Sequence, residues 1–189
     1  MSFMLLGILN SQASGGGVAS SYELIQTTRL NSNSSSITLS SLDTLTDYQH
    51  LQIRGRIQGN ATGTSEAYGS WQINGTSLER YHTLQGQGGA PSSGSAANAY
   101  FTTNNNNASY TPQNWTNFVL DFLDFSNPNK NSTLRVFSGA KPYFPNSPSI
   151  RFFSASNFST VAATSIGFTA NLGSLITDSE FRLYGIKEA

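Results

Sequence analysis

The stretch Trp115-Thr-Asn-Phe-Val-Leu-Asp-Phe-Leu-Asp-Phe125 decides the fold class of this 189-residue chain. Large apolar side chains fall on every second residue, at Phe118, Leu120 and Phe122, and mostly polar residues stand between them. A period of two is that of a β-strand with one face in a core. The stretch therefore predicts a half-buried strand, and it is the strongest core candidate in the sequence.

Strand patterns of the same kind recur on both sides of this stretch. Leu51, Ile53 and Ile57 alternate with Gln52, Arg54 and Arg56, which predicts a strand with its apolar residues toward the core. Further strands are predicted over residues 22–30, 37–39, 134–137, 150–153, 165–168 and 181–186.

A hairpin is predicted around Asn74-Gly75, which separates the strand pattern of residues 71–73 from that of residues 76–81. Asn-Gly tolerates the positive φ angles of a type I′ turn. With this hairpin the chain contains roughly nine or ten strands, divided by Gly, Pro, Asn and Ser clusters, and no convincing helix. We predict an all-β fold: a single antiparallel, jelly-roll-like β-sandwich over residues 20–189, with a loop-rich polar stretch at residues 86–111.

Residues 1–19 are predicted to form a separate N-terminal arm. A triple glycine at residues 15–17 supplies a hinge. A secretory signal is disfavoured because no basic residues precede the apolar run. Exposed apolar clusters are an aggregation liability, so we expect the arm to insert into a neighbouring subunit or partner protein. The alternative is that it folds back onto its own sandwich. The apolar residues of the arm are Phe3, Met4, Leu5, Leu6, Ile8 and Leu9.

The composition narrows the function classes. Ten basic and ten acidic side chains cancel, so no broad basic face is expected and no nucleic-acid partner is predicted. The absence of cysteine excludes disulfides and thiolate metal sites. No apolar run reaches the roughly 18 residues of a membrane span, so no membrane insertion is predicted.

The titratable residues do not form a recognisable catalytic or metal-binding pattern. His50 and His82 are the two histidines, and they lack the spacing of a zinc site. Asp121 and Asp124 are three residues apart, which on a strand directs them to opposite faces. We therefore predict no catalytic residues, no metal, no cofactor and no enzymatic activity.

Aromatic side chains in polar surroundings are candidates for contact with a glycan. Their rings could stack on sugars while neighbouring Asn and Gln side chains bond the hydroxyl groups. The competing interpretation is that the same rings fill the core. The candidates are Trp71, Tyr81, Tyr100, Tyr110 and Trp115.

Three motifs resemble a group of structural proteins from marine and cyanobacterial tailed phages. They are the opening Met1-Ser-Phe-Met-Leu-Leu-Gly-Ile-Leu-Asn-Ser-Gln-Ala13, the inner Tyr48-Gln-His-Leu-Gln-Ile-Arg54 and the terminal Phe181-Arg-Leu-Tyr-Gly-Ile-Lys187. The resemblance implies a non-enzymatic virion protein, either a capsid decoration or a tail-attached component, assembled in the host bacterial cytoplasm. The arm would dock the chain onto other virion proteins.

Two further expectations follow for such a protein. Closed cyclic symmetry would make it a homo-oligomer, a trimer or a hexamer. The alternative function is a carbohydrate- or receptor-binding module of a phage tail fibre, with a host glycan as the partner.

Overall fold

The computed structural model describes residues 21–61, 67–78, 80–87, 90–96, 100–103, 115–140, 149–156 and 160–187. These residues form thirteen strands and one short 3-10 helix, Leu42–Thr44. Every strand pair among them is antiparallel, and the strands make two sheets that pack face to face. The predicted all-β sandwich is confirmed. The jelly-roll connectivity stays a prediction, and the predicted arm lies outside the described residues.

The large sheet has eight strands in the order β1-β13-β3-β9-β10-β11-β6-β7. Its first four strands in spatial order are β1 (Tyr22–Arg29), β13 (Glu180–Ile186), β3 (His50–Ile57) and β9 (Thr116–Leu123). The other four are β10 (Thr133–Ala140), β11 (Ser149–Ser156), β6 (Arg80–Gln87) and β7 (Ala90–Ala96). The N-terminal and C-terminal strands of the described chain are therefore neighbours at one edge.

The small sheet has five strands and covers part of the large one. It contains β2 (Ser36–Ser40), β12 (Ser165–Ala170), β4 (Ala67–Ile73), β5 (Thr76–Ser77) and β8 (Tyr100–Thr103). The order is β2-β12-β4, and β5 and β8 pair with different parts of the far edge of β4.

The core lies between the sheets and follows the predicted period. Phe118, Leu120 and Phe122 of β9 are all buried, and the residues between them face outward. Trp71 from the small sheet joins them. Its ring centroid lies 5.7 Å from that of Phe118 and 5.3 Å from that of Phe168. Aromatic contacts of this geometry contribute beyond the area they bury, so this cluster ties the two sheets together.

The Asn74-Gly75 turn has the conformation predicted for a type I′ hairpin. Both residues have positive φ, 52° at Asn74 and 74° at Gly75. The returning strand is much shorter than predicted, because only Thr76–Ser77 pairs with β4. Leu78 is buried beyond it, and the chain then enters β6 of the large sheet at Arg80. The predicted strand 76–81 is thus divided between two sheets.

The polar stretch of residues 86–111 contains more regular structure than the sequence predicts. Strands β7 and β8 both lie within it, and β6 extends into it as far as Gln87. The Ser- and Gly-containing sequence of β7 carries little strand propensity, and its pairing with β6 supplies the backbone hydrogen bonds that such a sequence does not favour on its own. Strand β8, Tyr-Phe-Thr-Thr, consists of residues that favour strands, and it pairs with β4.

Candidate functional site: the outer face of the large sheet

The outer face of the large sheet carries the side chains that the core does not use. Strand β3 shows why. Leu51, Ile53 and Ile57 are fully buried, so the alternate residues Gln52 and Arg54 point away from the core. The same alternation on the neighbouring strands places one outward residue beside the next. The result is an arginine-rich half over β1, β13, β3 and β9, and an apolar half over β10, β11 and β6.

A connected polar network crosses the arginine-rich half. The Tyr22 hydroxyl donates to Gln52 Oε1 over 2.8 Å, and Arg54 Nε donates to the same oxygen over 2.7 Å. The Gln52 amide donates in turn to Asp121 Oδ1 over 2.7 Å. Four residues from three strands, β1, β3 and β9, thus fix one another's positions. Burial raises the pKa of the Tyr22 phenol, and the nearby Arg54 guanidinium opposes that rise.

Arg54 is held by aromatic rings as well as by Gln52. The rings of Tyr22 and Tyr184 are stacked, with their centroids 4.8 Å apart and their planes within 15°. The Arg54 guanidinium carbon lies 5.2 Å from the Tyr22 centroid and 5.4 Å from the Tyr184 centroid. Arg56, the next outward residue of β3, lies 4.9 Å above the ring of Trp115. Both guanidinium groups therefore gain cation–π attraction and lose freedom of movement.

An open depression of about 680 Å³ lies among these residues, and we call it the arginine depression. Its volume is within the usual range of ligand sites. Arg29 at its edge is ion-paired with Asp178 at 2.8 Å, and Arg182 is ion-paired with Glu180 at 2.7 Å. The charged and amide side chains that line it belong to Arg29, Arg54, Arg56, Arg182, Asn117 and Glu180.

The apolar half of the face carries four exposed large side chains. Phe137, Phe152 and Leu84 are direct cross-strand partners on β10, β11 and β6, and Ile150 lies two residues from Phe152. Their exposed fractions are 53%, 39%, 63% and 56%, respectively. We call these four residues the apolar patch. Contiguous exposed apolar side chains on a strand face mark interaction surfaces more often than isolated ones do.

A second depression borders the apolar patch toward β7. Its volume is about 500 Å³, and it is lined by Leu84 and Phe152 together with His82 and the serines Ser93, Ser95 and Ser154. His82 is exposed there. His50, by contrast, lies on β3, where its Nδ1 accepts the backbone N–H of Asp124 over 3.1 Å. The two histidines therefore lie in different parts of the outer face, His82 in the second depression and His50 beside Asp124.

The structure gives different outcomes for the five candidates for glycan contact. Trp71 is only 1% exposed, so its ring cannot stack on a sugar, and the prediction at this residue is wrong. Trp115 is half-buried beside Arg56 and remains a candidate. Tyr81 lies within β6, and Tyr100 is the first residue of β8. The side chains of both are outside the described part of the chain. Tyr110 lies outside the described residues altogether, as do the arm residues Phe3, Met4, Leu5, Leu6, Ile8 and Leu9.

The two aspartates that are close in sequence have separate surroundings. Asp121 lies on β9 and accepts the Gln52 amide, whereas Asp124 lies past the end of that strand with φ at 53° and pairs with Lys130 at 3.7 Å. Over the described ranges, no group of three His, Asp or Glu side chains could hold a metal ion. In the same part of the chain, no helix has the length and apolarity to cross a membrane.

Sequence reasoning missed the apolar patch, although a signal was present. Adjacent residues of a strand face opposite sides, so the doublet Phe152-Phe153 must direct one ring outward. Phe153 is 4% exposed and Phe152 is 39% exposed. Phe137 follows the buried Val136 in the same way.

No protein-family model matches this chain, and neither a curated protein nor a solved structure matches it.

Proposed function

We propose that this chain is a non-enzymatic structural protein of a phage virion, a capsid decoration or a tail-attached component, that is held in place by protein–protein contacts. The observation that carries the proposal is the apolar patch. Its four side chains are between 39% and 63% exposed, so covering them would contribute on the order of 1 kcal/mol each. The resemblance of three sequence motifs to those of phage structural proteins supports the choice of a virion as the setting.

The size of the patch indicates what covers it. Three strands about 4.8 Å apart and about four residues in length give an area on the order of 200 Å². A standard protein interface covers about 800 Å² per partner, so the patch is too small to hold a whole subunit by itself. An extended segment of six or seven residues, about 20 Å long, covers an area of this order. The occupant in this proposal is the apolar segment of residues 3–9 from a neighbouring copy.

The length of the connecting chain is compatible with that occupant. Strand β1 begins at Tyr22, and the strand order places β10, β11 and β6 four to six strands away from it. That separation is about 19–29 Å at the usual strand spacing. Residues 10–21 can span up to about 40 Å, which exceeds that separation, so the segment is long enough to reach a patch at this distance in its own subunit or in an adjacent one. Repeated around a closed ring, this exchange would give the homo-oligomer expected from the sequence.

The test is to make the patch polar in the full-length chain. The double variant Phe137→Ser/Phe152→Ser changes two exposed side chains, so the fold should persist, as circular dichroism can verify. We expect self-association, measured by analytical ultracentrifugation, to weaken at least tenfold. The matched control is Leu172→Ser, because Leu172 is 50% exposed and lies outside the patch. Unchanged association in the double variant, or an equal loss in the control, would reject the patch as the contact.

The virion setting needs its own measurement. Mass spectrometry of gradient-purified particles of the encoding phage should detect this chain at a fixed copy number relative to the major capsid protein. Its absence from such particles would contradict the assignment while leaving the self-association result untouched.

The alternative is a carbohydrate- or receptor-binding module of a tail fibre. The observation that favours this alternative is the contact between Arg56 and the half-buried ring of Trp115 at the arginine depression. This alternative is favoured if the protein binds neutral sugars and if Trp115→Ala abolishes that binding while self-association stays unchanged.

A further inference from the structure

The four arginines of the arginine depression lie close together because of the strand register. Arg54 on β3 and Arg182 on β13 are direct cross-strand partners. Glu180 on β13 stands between Arg29 of β1 and Arg56 of β3 in the next outward row. Like charges directly opposite each other destabilise a sheet. The Arg182–Glu180 ion pair weakens the repulsion between Arg54 and Arg182, and a bound anion would weaken it further.

The charges of the depression are only partly compensated. Asp178 and Glu180 neutralise Arg29 and Arg182. Within the part of the chain that the structure describes, no carboxylate pairs with Arg54 or Arg56, both of which are exposed. Aromatic rings hold these two guanidinium groups in place instead. A planar guanidinium fixed in this way presents its remaining N–H groups to a carboxylate or sulfate with little further loss of entropy.

We infer that the arginine depression binds the oxyanion groups of an acidic polysaccharide, with Arg54 and Arg56 as the principal contacts. The group that binds is a carboxylate or a sulfate ester, and it is held by Arg54 and Arg56 rather than by Arg182, which is ion-paired with Glu180. The polar side chain of Asn117 and the carboxylate of Glu180 line the same depression and suit sugar hydroxyl groups. The inference is independent of the assembly proposal, because the apolar patch lies on other strands.

The surrounding charges favour a polysaccharide over a nucleic acid. Asp121, Asp178 and Glu180 border the arginines, and the whole chain has no net charge. A nucleic acid carries a phosphate at every nucleotide, and its affinity comes from an uninterrupted basic surface. Along an acidic polysaccharide the charged groups are interspersed with neutral hydroxyl groups. That mixture of groups matches a surface on which arginines alternate with carboxylates.

The experiment measures binding of the full-length protein to immobilised polysaccharides at low salt. The probes are polygalacturonate for carboxylates, dextran sulfate for sulfates, neutral dextran and a single-stranded oligonucleotide. We expect saturable binding to at least one acidic polysaccharide and none to neutral dextran. The double variant Arg54→Gln/Arg56→Gln should weaken it at least tenfold, and raising the salt concentration should weaken it further.

The matched control is Arg135→Gln. Arg135 is exposed on the outer face of the same sheet and opposite Asp121, but outside the depression. The Arg135→Gln variant should change the affinity for the acidic polysaccharide less than twofold. Arg182→Gln serves as a second depression variant if the double variant loses its fold. An equal loss in the control, tighter binding of the oligonucleotide, or no binding of either acidic polysaccharide would each overturn the inference.

Discussion

The ring of Phe118 on β9 occupies the space above Gly55, its direct cross-strand partner on β3. A Cβ atom added at Gly55 would lie 2.6 Å from that ring and 2.5 Å from the carbonyl oxygen of Glu180. The glycine therefore creates the room in which Phe118 meets Trp71 of the small sheet.

The first prediction concerns this close approach. Gly55→Ala should destabilise the fold by about 1–3 kcal/mol, because the ring and the neighbouring backbone must both shift. Urea denaturation followed by tryptophan fluorescence measures the change. The control is Gly139→Ala on β10, where an added Cβ meets nothing within 4 Å. That variant should be neutral or slightly stabilising, since glycine is a poor strand residue. Equal effects at the two positions would contradict this account of Gly55.

The second prediction concerns the turn at Asn74. Its side-chain oxygen accepts the backbone N–H of Thr164 over 2.8 Å and that of Ser165 over 3.1 Å, and its amide donates to the Ala162 carbonyl over 3.1 Å. Asn74→Ala removes these bonds and leaves a positive φ without a residue that tolerates it. We expect a loss of about 1–3 kcal/mol in thermal or urea unfolding. Asn74→Asp keeps the acceptor oxygen and should lose clearly less. If both variants lose the same amount, the acceptor bonds contribute nothing.

The third prediction concerns stability at alkaline pH. Tyr48 donates its hydroxyl to Glu23 Oε2 over 2.9 Å, and this bond raises the pKa of the phenol. A raised folded-state pKa means that the neutral phenol is favoured in the fold. Its contribution is therefore complete below about pH 10 and is lost as the pH rises through the folded pKa. The Tyr22 phenol, whose pKa is raised by burial, changes stability in the same direction.

Urea unfolding between pH 8 and pH 11.5 tests this linkage. The free energy of unfolding of the wild-type chain should fall across the upper part of that range. Tyr48→Phe lacks the bond to Glu23, so its free energy should fall less steeply. Parallel curves for the two proteins would show that Tyr48 does not contribute to the alkaline loss.

The core of the sandwich was predictable because it depends on local periodicity. The alternation at Phe118, Leu120 and Phe122 specifies one face of β9 whatever its neighbours are. The hairpin at Asn74 was predictable for a similar reason, since its turn type follows from two adjacent residues. The burial of Trp71 was not predictable, because a tryptophan near polar residues is equally compatible with a surface position and a core position. Its burial follows from facing Phe118 across the two sheets.

The arginine depression could not be predicted, because it depends on which strands are neighbours. Tyr22, Arg54 and Tyr184 lie far apart in sequence and meet only in the order β1-β13-β3. No sequence pattern specifies that order. The register also decides that Arg182 faces Arg54, since a slip of one residue would direct Arg182 into the core.

The last prediction concerns the N-terminal segment and decides between the two interpretations of the arm. In dilute solution, where the protein is monomeric, deleting residues 2–14 should leave the thermal midpoint unchanged, because the described backbone bonds at this end begin at Ser21, whose carbonyl accepts the Lys187 N–H over 2.9 Å. Self-association should weaken as much as in Phe137→Ser/Phe152→Ser. Combining the deletion with that double variant should give no further loss of self-association. The two changes remove opposite sides of the same contact, so their free-energy effects are not additive. A midpoint several degrees lower, with association intact, would instead show that the segment packs against its own sandwich.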